Sequence, residues 1–526
     1  MLSSSQPRGA AFFTRRFVLL AALTLAAFSL ANHAQAATDD KPAGDAQKQF
    51  NIVQYGAAAT ADDVTKIAPN TQAIQKAIDA CAAAGGGRVV VPAGTFLTGT
   101  IVLKSNVNLH LEKGAVLLGS TTVNDYPFHK PANRRRYDLH LGRSLVLAQG
   151  ADRVSVTGEG TINGNSKAKN DFYDARLRAN GDRPTALWFD ECTNVTVKGI
   201  TMTSAGFWTN PYSLCRNVHI DGIRITESTF MNNDGCDICD CENVLIENCD
   251  IDCLDDAVCL KGFMPGGCKN IVVRNNRLRS LCNAIKTGTD SSGGFQNLLI
   301  EDNYVHQTGI AGIALEITDG GTMQNVVIRN TTMDVVGTPI FIKLGDRNRP
   351  LYDGEKKFPV ANGALRGVRI SGVRAIVDKI ERRNDDERRM HNYACYASSI
   401  TGFPGCPIED VQIEDVDITI RGGFAPGTAA DVARKVPENS TGYPENRMFG
   451  VLPAYGLFVR HAKDVTMKNV RIAIQQEDAR PAVVLDDARD SVFADFQAKD
   501  LSGADVFLIR SNCRNVQRPQ NETGRE

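Results

Sequence analysis

Acidic side chains cluster in one short part of the sequence. Asn232 and Asp234 are followed by Asp255 and Asp256, and the apolar run 257–260 comes directly after that pair. Carboxyl groups held close together at the end of a dry strand repel one another, so that one keeps its proton while others ionise. The cluster therefore predicts a site with an acid and a base, which is the division of labour that hydrolysis of a glycosidic bond requires.

The elements that position these acids recur along the chain. Between residues 192 and 326, six similar phrases each hold an asparagine followed by alternating Val, Ile or Leu. Such alternation, with Asn, Asp and Gly between the runs, predicts short strands joined by turns. The marker asparagines lie 23, 26, 27, 27 and 28 residues apart, which predicts the stacked coils of a solenoid. They are Asn194, Asn217, Asn243, Asn270, Asn297 and Asn325.

Stacking is expected to bring the acids together. Asp234 and Asp255 are 21 residues apart, which is close to one coil, and neighbouring strands lie about 4.8 Å apart. We therefore expect both carboxyl groups to face one cleft. A leucine-rich repeat has a similar period, but it needs Leu at constant positions and usually a helix in each unit, and the sequence shows neither.

Cysteines occupy a constant place in four repeats, two residues before the marker asparagine. We expect them to form an inward ladder of small apolar side chains. The alternative is a metal site, because Cys236, Cys239 and Cys241 have suggestive spacing. Fourteen cysteines in 526 residues are too sparse for a disulfide scaffold, although Cys395 and Cys406 are candidates for a local bridge. The ladder consists of Cys192, Cys215, Cys241 and Cys268 and continues with Phe295 and Met323.

An amphipathic helix is predicted before the repeats, over residues 70–84. Asn70 or Thr71 can cap it, and the glycines at 85–87 end it. We expect this helix to cover the first coil and hide an edge that would otherwise recruit other strands. Its apolar stripe consists of Ile74, Ala77, Ile78 and Cys81.

The N-terminal residues resemble an export signal. Three arginines precede the apolar run 17–30, and small residues at 34–36 form a cleavage pattern. The run is shorter than the roughly 20 residues that span a bilayer. The sequence therefore predicts a periplasmic or extracellular protein with four parts: a signal peptide at 1–36, a disordered segment at 37–49, a catalytic domain at 50–515 and a flexible tail at 516–526.

Net charge narrows the range of partners. The formal charge is −1 at pH 7, and removal of residues 1–36 takes away three Arg and no acid, so that −1 − 3 gives −4. This balance argues against nucleic acid as a partner. No later run is long and apolar enough to predict a membrane span.

Several stretches of the chain resemble the signatures of one enzyme family. The residues 232–235 and 255–262 are similar to the Asn-Thr-Asp and Asp-Asp signatures of glycoside hydrolase family 28, the polygalacturonase-like pectin hydrolases. Residues 55–107 and 452–461 are similar to stretches of the same β-helical pectin enzymes. The resemblance covers nearly all of residues 50–500. It implies an all-β fold, a single-stranded right-handed parallel β-helix with an N-terminal capping helix.

The resemblance also implies roles for the clustered acids. Asp255 would be the general acid of an inverting hydrolysis, and Asp234 and Asp256 would hold and deprotonate the attacking water. Asn232 is expected to bind substrate, and Asp237 to turn to the wall or cap a turn. No metal and no cofactor are implied.

Two motifs of the family are missing. Its Gly-His-Gly motif should fall at 282–284, so that Asn283 replaces the histidine, and its Arg-Ile-Lys motif should fall at 314–316, where Glu316 stands. Arginine binds a carboxylate through two parallel hydrogen bonds, which Ala and Glu cannot make. We expect Asn283, Glu316 and two lysines to contact the substrate. The missing motifs leave open which sugar is bound at the cleavage site. The lysines are Lys261 and Lys286, acting as point charges.

The residues are compatible with three functions. The favoured one is a secreted glycoside hydrolase that cleaves a pectin-like polysaccharide of polygalacturonase or rhamnogalacturonan type, acting as a monomer on a polysaccharide or oligosaccharide. The second is a polysaccharide lyase on the same scaffold, with the acids as a Ca²⁺ site, although no arginine base stands beside them. The third is a non-catalytic, glycan-binding β-helix.

Overall fold

A computed structural model describes most of the chain after the predicted export signal. The predicted signal peptide, and all but two residues of the predicted disordered segment, lie outside the described residues. The described residues are 48–519 except 61–62, 131–140, 169, 172–181, 354–355, 382–393 and 500–505.

Nearly all regular structure in the described residues is β. The early strands are β1 Gln49–Asn51, β2 Gly87–Val91, β3 Gly94–Thr98, β4 Ile101–Leu103, β5 Val107–Leu111, β6 Ala115–Gly119, β7 Ser144–Gln149, β8 Asp152–Gly158 and β9 Thr161–Asn163. The middle strands are β10 Thr185–Asp190, β11 Thr193–Lys198, β12 Thr201–Thr203, β13 Asn210–Ser213, β14 Arg216–Asp221, β15 Arg224–Thr226, β16 Cys236–Cys239, β17 Glu242–Glu247, β18 Asp250–Cys253, β19 Val258–Gly262, β20 Cys268–Arg274, β21 Arg277–Ser280, β22 Ile285–Ser291, β23 Phe295–Glu301 and β24 Tyr304–Ile317.

The later strands are longer and are separated by larger insertions. They are β25 Thr322–Arg329, β26 Thr332–Leu344, β27 Leu351–Asp353, β28 Lys356–Phe358, β29 Ala364–Val377, β30 Ser398–Thr401, β31 Ile408–Ile420, β32 Leu457–Ile474, β33 Val483–Lys499, β34 Phe507–Ile509 and β35 Arg514–Gln517. The helices are α1 Ile67–Ala83 and α2 Ala429–Ala433, with short 3₁₀ turns at Ile52–Tyr55, Val64–Lys66, Val123–Asp125 and Asn446–Phe449.

Parallel pairing between successive coils builds a β-helix, as the repeat predicts. Val218 of β14 pairs with Val244 of β17, which pairs with Ile271 of β20. The same register links the other strands, so that like positions lie above one another; among the described strands, only β27 and β28 pair antiparallel and form a separate hairpin. The last strand, β35, extends past the predicted domain boundary at residue 515.

The marker asparagines form a hydrogen-bonded ladder along the coils. Each has φ between 54° and 58°, in the left-handed region that asparagine tolerates better than most residues. From Asn217 to Asn325, each side-chain amide donates to the marker on the preceding coil, over 2.8–3.1 Å. The repeated asparagine therefore makes a turn and joins two coils.

The cysteine ladder lies in the core, as predicted. The four ladder cysteines are fully buried, and Cys268 pairs with Phe295 and then Met323 on the following coils. The metal alternative is not supported, because Cys236 lies in the core whereas Cys239 belongs to a cluster on the outer face. Cysteines 395 and 406 are both free, so the candidate bridge between them was wrong.

Helix α1 covers the first coils, and its apolar stripe is buried as predicted. The predicted start was wrong, because a 3₁₀ turn leads into the helix and it begins at Ile67. Asn70 and Thr71 therefore lie inside α1 and do not cap it. Asn70 instead bonds backbone groups of Ala58 and Leu97, and the hydroxyl of Thr71 bonds that of Thr98, so that both residues attach the helix to the coils.

A long insertion between β31 and β32 folds back over the outer face of the later coils. We call residues 421–456 the covering segment. Asn446 donates to the carbonyl of Ile310 and to the hydroxyl of Thr338, and Phe449 is buried. The segment thereby becomes part of the surface around the acids. In the described part of the chain, no helix is long and apolar enough to cross a membrane.

Candidate active site

The predicted acids lie on the outer face of one sheet of the β-helix. Ile238 and Leu260 point into the core, so their alternate neighbours point outward. Asp234 comes just before β16, and Asp255 and Asp256 come just before β19 on the next coil. Strand partners on this face are, in order, Asp237, Cys259, Lys286 and Ala314.

Asp255 is half-buried, whereas the three neighbouring acids are fully buried. Its Oδ2 accepts two hydrogen bonds from Asn232, one from the backbone N–H at 3.2 Å and one from the side-chain amide at 3.5 Å. Burial, and next the negative charge of Asp256, raise the pKa of Asp255 to about 6. A carboxyl group of this kind can carry a proton to a leaving group.

Asp256 has the opposite environment. Its Oδ1 accepts from the backbone and side chain of Asn283, at 3.1 and 2.7 Å, and its Oδ2 lies 3.1 Å from the ammonium of Lys286. Burial alone would raise the pKa of Asp256, but Lys286, Lys261 and Asn283 together outweigh it and lower that pKa below its ordinary value. Asp256 is therefore held as a carboxylate that can act as a base.

Lys261 sits among buried acids on the other side of the cluster. Its Nζ lies 3.7 Å from Asp234, 3.1 Å from Asp237 and 2.9 Å from the Sγ of Cys259. Burial, followed by the charges of Asp237 and Asp255, raises the pKa of Asp234 well above its ordinary value. Asp234 Oδ1 has no hydrogen-bond partner among the described residues. A protonated Asp234 can therefore hold a water molecule by donating to it or accepting from it.

The expectation for Asp237 was wrong. It neither turns to the wall nor caps a turn but faces Lys261, and burial raises its pKa to about 6. The alternation of β16 contained this signal, because Asp237 precedes the inward Ile238. Lys261 lies beside Asp234 and Asp237, and Lys286 lies beside Asp256. Two residue groups with the geometry of a metal site, Asp234-Asp237-Cys259 and Asp255-Asp256-Cys282, therefore already have an ammonium group next to a carboxylate.

Glu316 lies on the same face, two residues beyond the strand partner of Lys286. It is almost fully buried, and its Oε2 has no hydrogen-bond partner in the described part of the chain. Burial raises the pKa of Glu316 to about 8, against the opposing effect of Lys286. The residue therefore lies beside the site as a neutral carboxyl group, which sequence motifs alone did not show.

Apolar clusters cover the outer face on both sides of the acids. On the earlier coils the cover consists of Leu147, Trp188, Phe207 and Trp208. On the later coils it consists of Phe341, Phe449, Phe458 and Val484. Lys261 lies 4.7 Å from the ring centre of Trp208 at the first boundary.

Tyr443 of the covering segment marks the second boundary, and sequence reasoning missed it. Its hydroxyl lies 3.5 Å from Lys286 Nζ, and 55% of the residue is exposed. An exposed aromatic ring beside the acids can bind the apolar face of a sugar. No local motif signals this contact, because Tyr443 lies in a non-repeating insertion 157 residues from its partner.

Fold and site together define a β-helical protein in which two adjacent carboxyl groups have opposite pKa shifts, an arrangement that suits glycoside hydrolysis. Residues 81–345 match the sequence profile of the glycosyl hydrolases family 28, and the chain belongs to that family. The predicted family is confirmed.

Similar proteins agree with this assignment. An exo-poly-alpha-D-galacturonosidase of Dickeya chrysanthemi is 54% identical over 80 residues, covering 15% of this chain and 12% of that protein. A probable polygalacturonase of Vitis vinifera is 29% identical over 202 residues, covering 36% of this chain and 41% of that protein. The aligned regions thus span less than half the length of either relative.

A solved structure confirms the predicted right-handed parallel β-helix. The hyperthermoactive exopolygalacturonase of Thermotoga maritima matches with a TM-score of 0.56 and 23% identity, over 72% of this chain and 87% of that one. This likeness concerns the fold.

Proposed function

We propose that the protein is a glycoside hydrolase that cleaves a galacturonate-containing, pectin-type polysaccharide by acid/base hydrolysis with inversion. Asp255 protonates the leaving oxygen. Asp256 takes the proton of the attacking water, and Asp234 holds that water. The single observation that carries this proposal is the contrast between two adjacent carboxyl groups: Lys286 and Asn283 hold Asp256 and help to lower its pKa, whereas the pKa of Asp255 is raised.

Asp255→Asn tests the assignment of the acid. Because amide cannot donate the required proton, we expect turnover on pectic oligosaccharides to fall by about 10²- to 10⁴-fold, with an unchanged unfolding midpoint. Asp250→Asn is the matched control, since Asp250 is a well-exposed acid of the same coil. Near-normal turnover of Asp255→Asn on the best substrate would show that another group is the acid.

Products distinguish hydrolysis from elimination and inversion from retention. Hydrolysis gives new reducing ends without conjugated unsaturation, so ultraviolet-absorbing products would establish a lyase. Oxygen atoms of Asp255 and Asp256 approach within 4.8 Å, whereas inverting carboxyl pairs are typically about 6.5–9.5 Å apart. Proton NMR of the first anomer formed therefore tests inversion directly, and a retained anomer would refute it.

Action at chain ends is supported by the cover on both sides of the acids. A cleft that is closed at its sides admits the terminal sugar of a polysaccharide more readily than an internal stretch, which must extend beyond the cleft in both directions. The names of the Dickeya and Thermotoga proteins also specify exo action. Tyr443 is proposed to stack on the bound sugar, with Asn232, Asn283, Lys261, Lys286 and Glu316 as polar contacts.

We further propose export of the protein, as a monomer, with cleavage after Ala36. The proposal of export rests on the arginines, the apolar run and the small residues of the first 36 positions. N-terminal sequencing of the protein recovered from the periplasm or medium should begin at Ala37. A recovered protein that still begins at Met1 would refute the proposal.

A further inference from the structure

Two buried cations lie beneath the covering segment, away from the acids. Lys343, Thr401 and Arg460 are strand partners on three successive coils, β26, β30 and β32. Lys343 is fully buried and Arg460 is 2% exposed. Lys343 Nζ and Arg460 Cζ lie 5.4 and 5.5 Å from the centre of the same ring, that of Phe449.

Each of these three residues has a hydrogen-bond donor that is unpartnered or only weakly partnered. Lys343 Nζ makes a single long contact, 3.5 Å to the carbonyl of Gly402, and no carboxylate of the described residues lies within 4 Å of it. Arg460 donates to the carbonyls of Val436 and Pro437, but its Nε has no partner in the described structure. The buried hydroxyl of Thr401 is likewise unpartnered among those residues.

The nearby acids lie close to Arg460 and leave Lys343 unpaired. Glu438 lies 3.4 Å from Arg460, but it also contacts His461 at 3.1 Å and its side chain is 43% exposed. Asp346 lies beyond ion-pair distance of Lys343, and its charge only partly opposes the lowering of the Lys343 pKa. Burial and the positive charge of Arg460 lower the pKa of Lys343 to about 8. Asp486, the strand partner of Arg460 on the next coil, adds a second negative charge near the guanidinium, so Lys343 is the cation left without a carboxylate. A buried charge without a counterion is strongly unfavourable, so an anion beside Lys343 would be stabilising.

We propose that a small inorganic anion of the chloride class binds beside Thr401, between the Nζ of Lys343 and the Nε of Arg460. Strands stack about 4.8 Å apart, so the backbones of Lys343 and Arg460 are about 10 Å apart with Thr401 midway. An anion there would accept hydrogen bonds from an ammonium, a hydroxyl and a guanidinium. Because Arg460 also holds two carbonyls of the covering segment, the anion would help to attach that segment.

Thermal unfolding in two salts tests the proposal. The full protein is compared in sodium chloride and sodium gluconate at constant ionic strength, since gluconate is a far larger anion than chloride. We expect the midpoint of the wild type to rise by about 2 °C or more in chloride, because a ligand that binds only the folded state stabilises it. Lys343→Met should lose this difference. Lys468→Met should keep it, because Lys468 is an exposed partner of Glu414.

Crystals grown in bromide provide a second measurement that needs no variant. An anomalous peak within hydrogen-bond distance of Lys343, Thr401 and Arg460 would support the site. Equal wild-type midpoints in the two salts, or a bromide map with only a water at this position, would overturn it. These outcomes are independent of hydrolytic activity.

Discussion

Asp255 and Asp256 are adjacent residues of the same type, and their surroundings give them opposite affinities for a proton. Asp256 receives an ammonium and two amide N–H groups, whereas the oxygen of Asp255 that faces Asn232 receives neutral donors at 3.2 and 3.5 Å. Contacts to the charged form lower a pKa, and burial beside another carboxylate raises it. The neighbours of each residue therefore decide which one serves as the acid in the proposed mechanism.

The pH dependence of kcat/KM should reflect this pair. In the proposed mechanism, activity needs Asp255 protonated and Asp256 ionised. We therefore expect activity to fall as pH rises through about 6, the pKa of Asp255, and to persist on the acid side below pH 3.8, the ordinary value for Asp256. Lys286→Met removes a charge that lowers the pKa values of both Asp255 and Asp256. Both the acidic and the alkaline limb of the pH profile should therefore move to higher pH. Unmoved limbs in this variant would contradict the assignment, and Lys468→Met serves as the control.

Glu316 should make stability depend on pH. Its pKa rises from 4.5 in the unfolded chain to about 8 in the fold. The folded protein therefore keeps a proton that the unfolded chain releases, and the free energy of unfolding falls as pH rises from 4.5 to 8. Glu316→Gln removes this loss. Urea unfolding measures the free energy of unfolding of the variant and the wild type at both pH values. We expect the difference between them to favour the variant by about 1–3 kcal/mol more near pH 8 than below pH 4.5. A pH-independent difference would contradict this.

At the scale of elements, the asparagine ladder performs two tasks at each coil, and they can be separated. Asn270 has φ of 57° and shares one hydrogen bond with Asn243 and one with Asn297. Asn270→Ala loses both bonds and strains the backbone, so we expect a loss of about 2–4 kcal/mol. Asn270→Gly tolerates that φ and should lose about 1 kcal/mol less. Urea unfolding measures both, and a glycine variant that is the less stable of the two would show that backbone strain is unimportant.

The sequence was informative where one environment recurs in every coil. The marker asparagines and the ladder cysteines predicted the register, because a position that stacks on its own equivalent meets the same constraint repeatedly. The start of α1 was missed because Asn70 serves tertiary contacts, although its type is typical of a cap. Asp237 was misplaced because its role depends on which side of β16 faces the core.

At the scale of the whole molecule, the site lies where the outer face of the solenoid is not covered by apolar side chains. The strand partners run from the apolar Leu147 and Trp188, through Asp237 and Lys286, to the apolar Phe341 and Phe458. Among these described strand partners, the charged ones, Asp237 and Lys286, stand on the middle coils. The covering segment that closes the later side is absent from the repeat pattern, so the shape of the cleft could not be predicted from the repeat.

Loosening the covering segment should therefore change where the polysaccharide is cut. Asn446 is buried and attaches the segment to Ile310 and Thr338 through 3.2 and 2.9 Å hydrogen bonds. We expect the wild type to release short products from chain ends, so that polymer viscosity falls little for each new reducing end. Asn446→Ala frees the segment, admits internal stretches of the chain and should increase the viscosity loss per cut. Gln497→Ala, at an exposed position on β33, is the matched control. A wild type that collapses viscosity after few cuts would show that the later side of the cleft is open, and that the cover over Phe341 and Phe458 does not block the substrate.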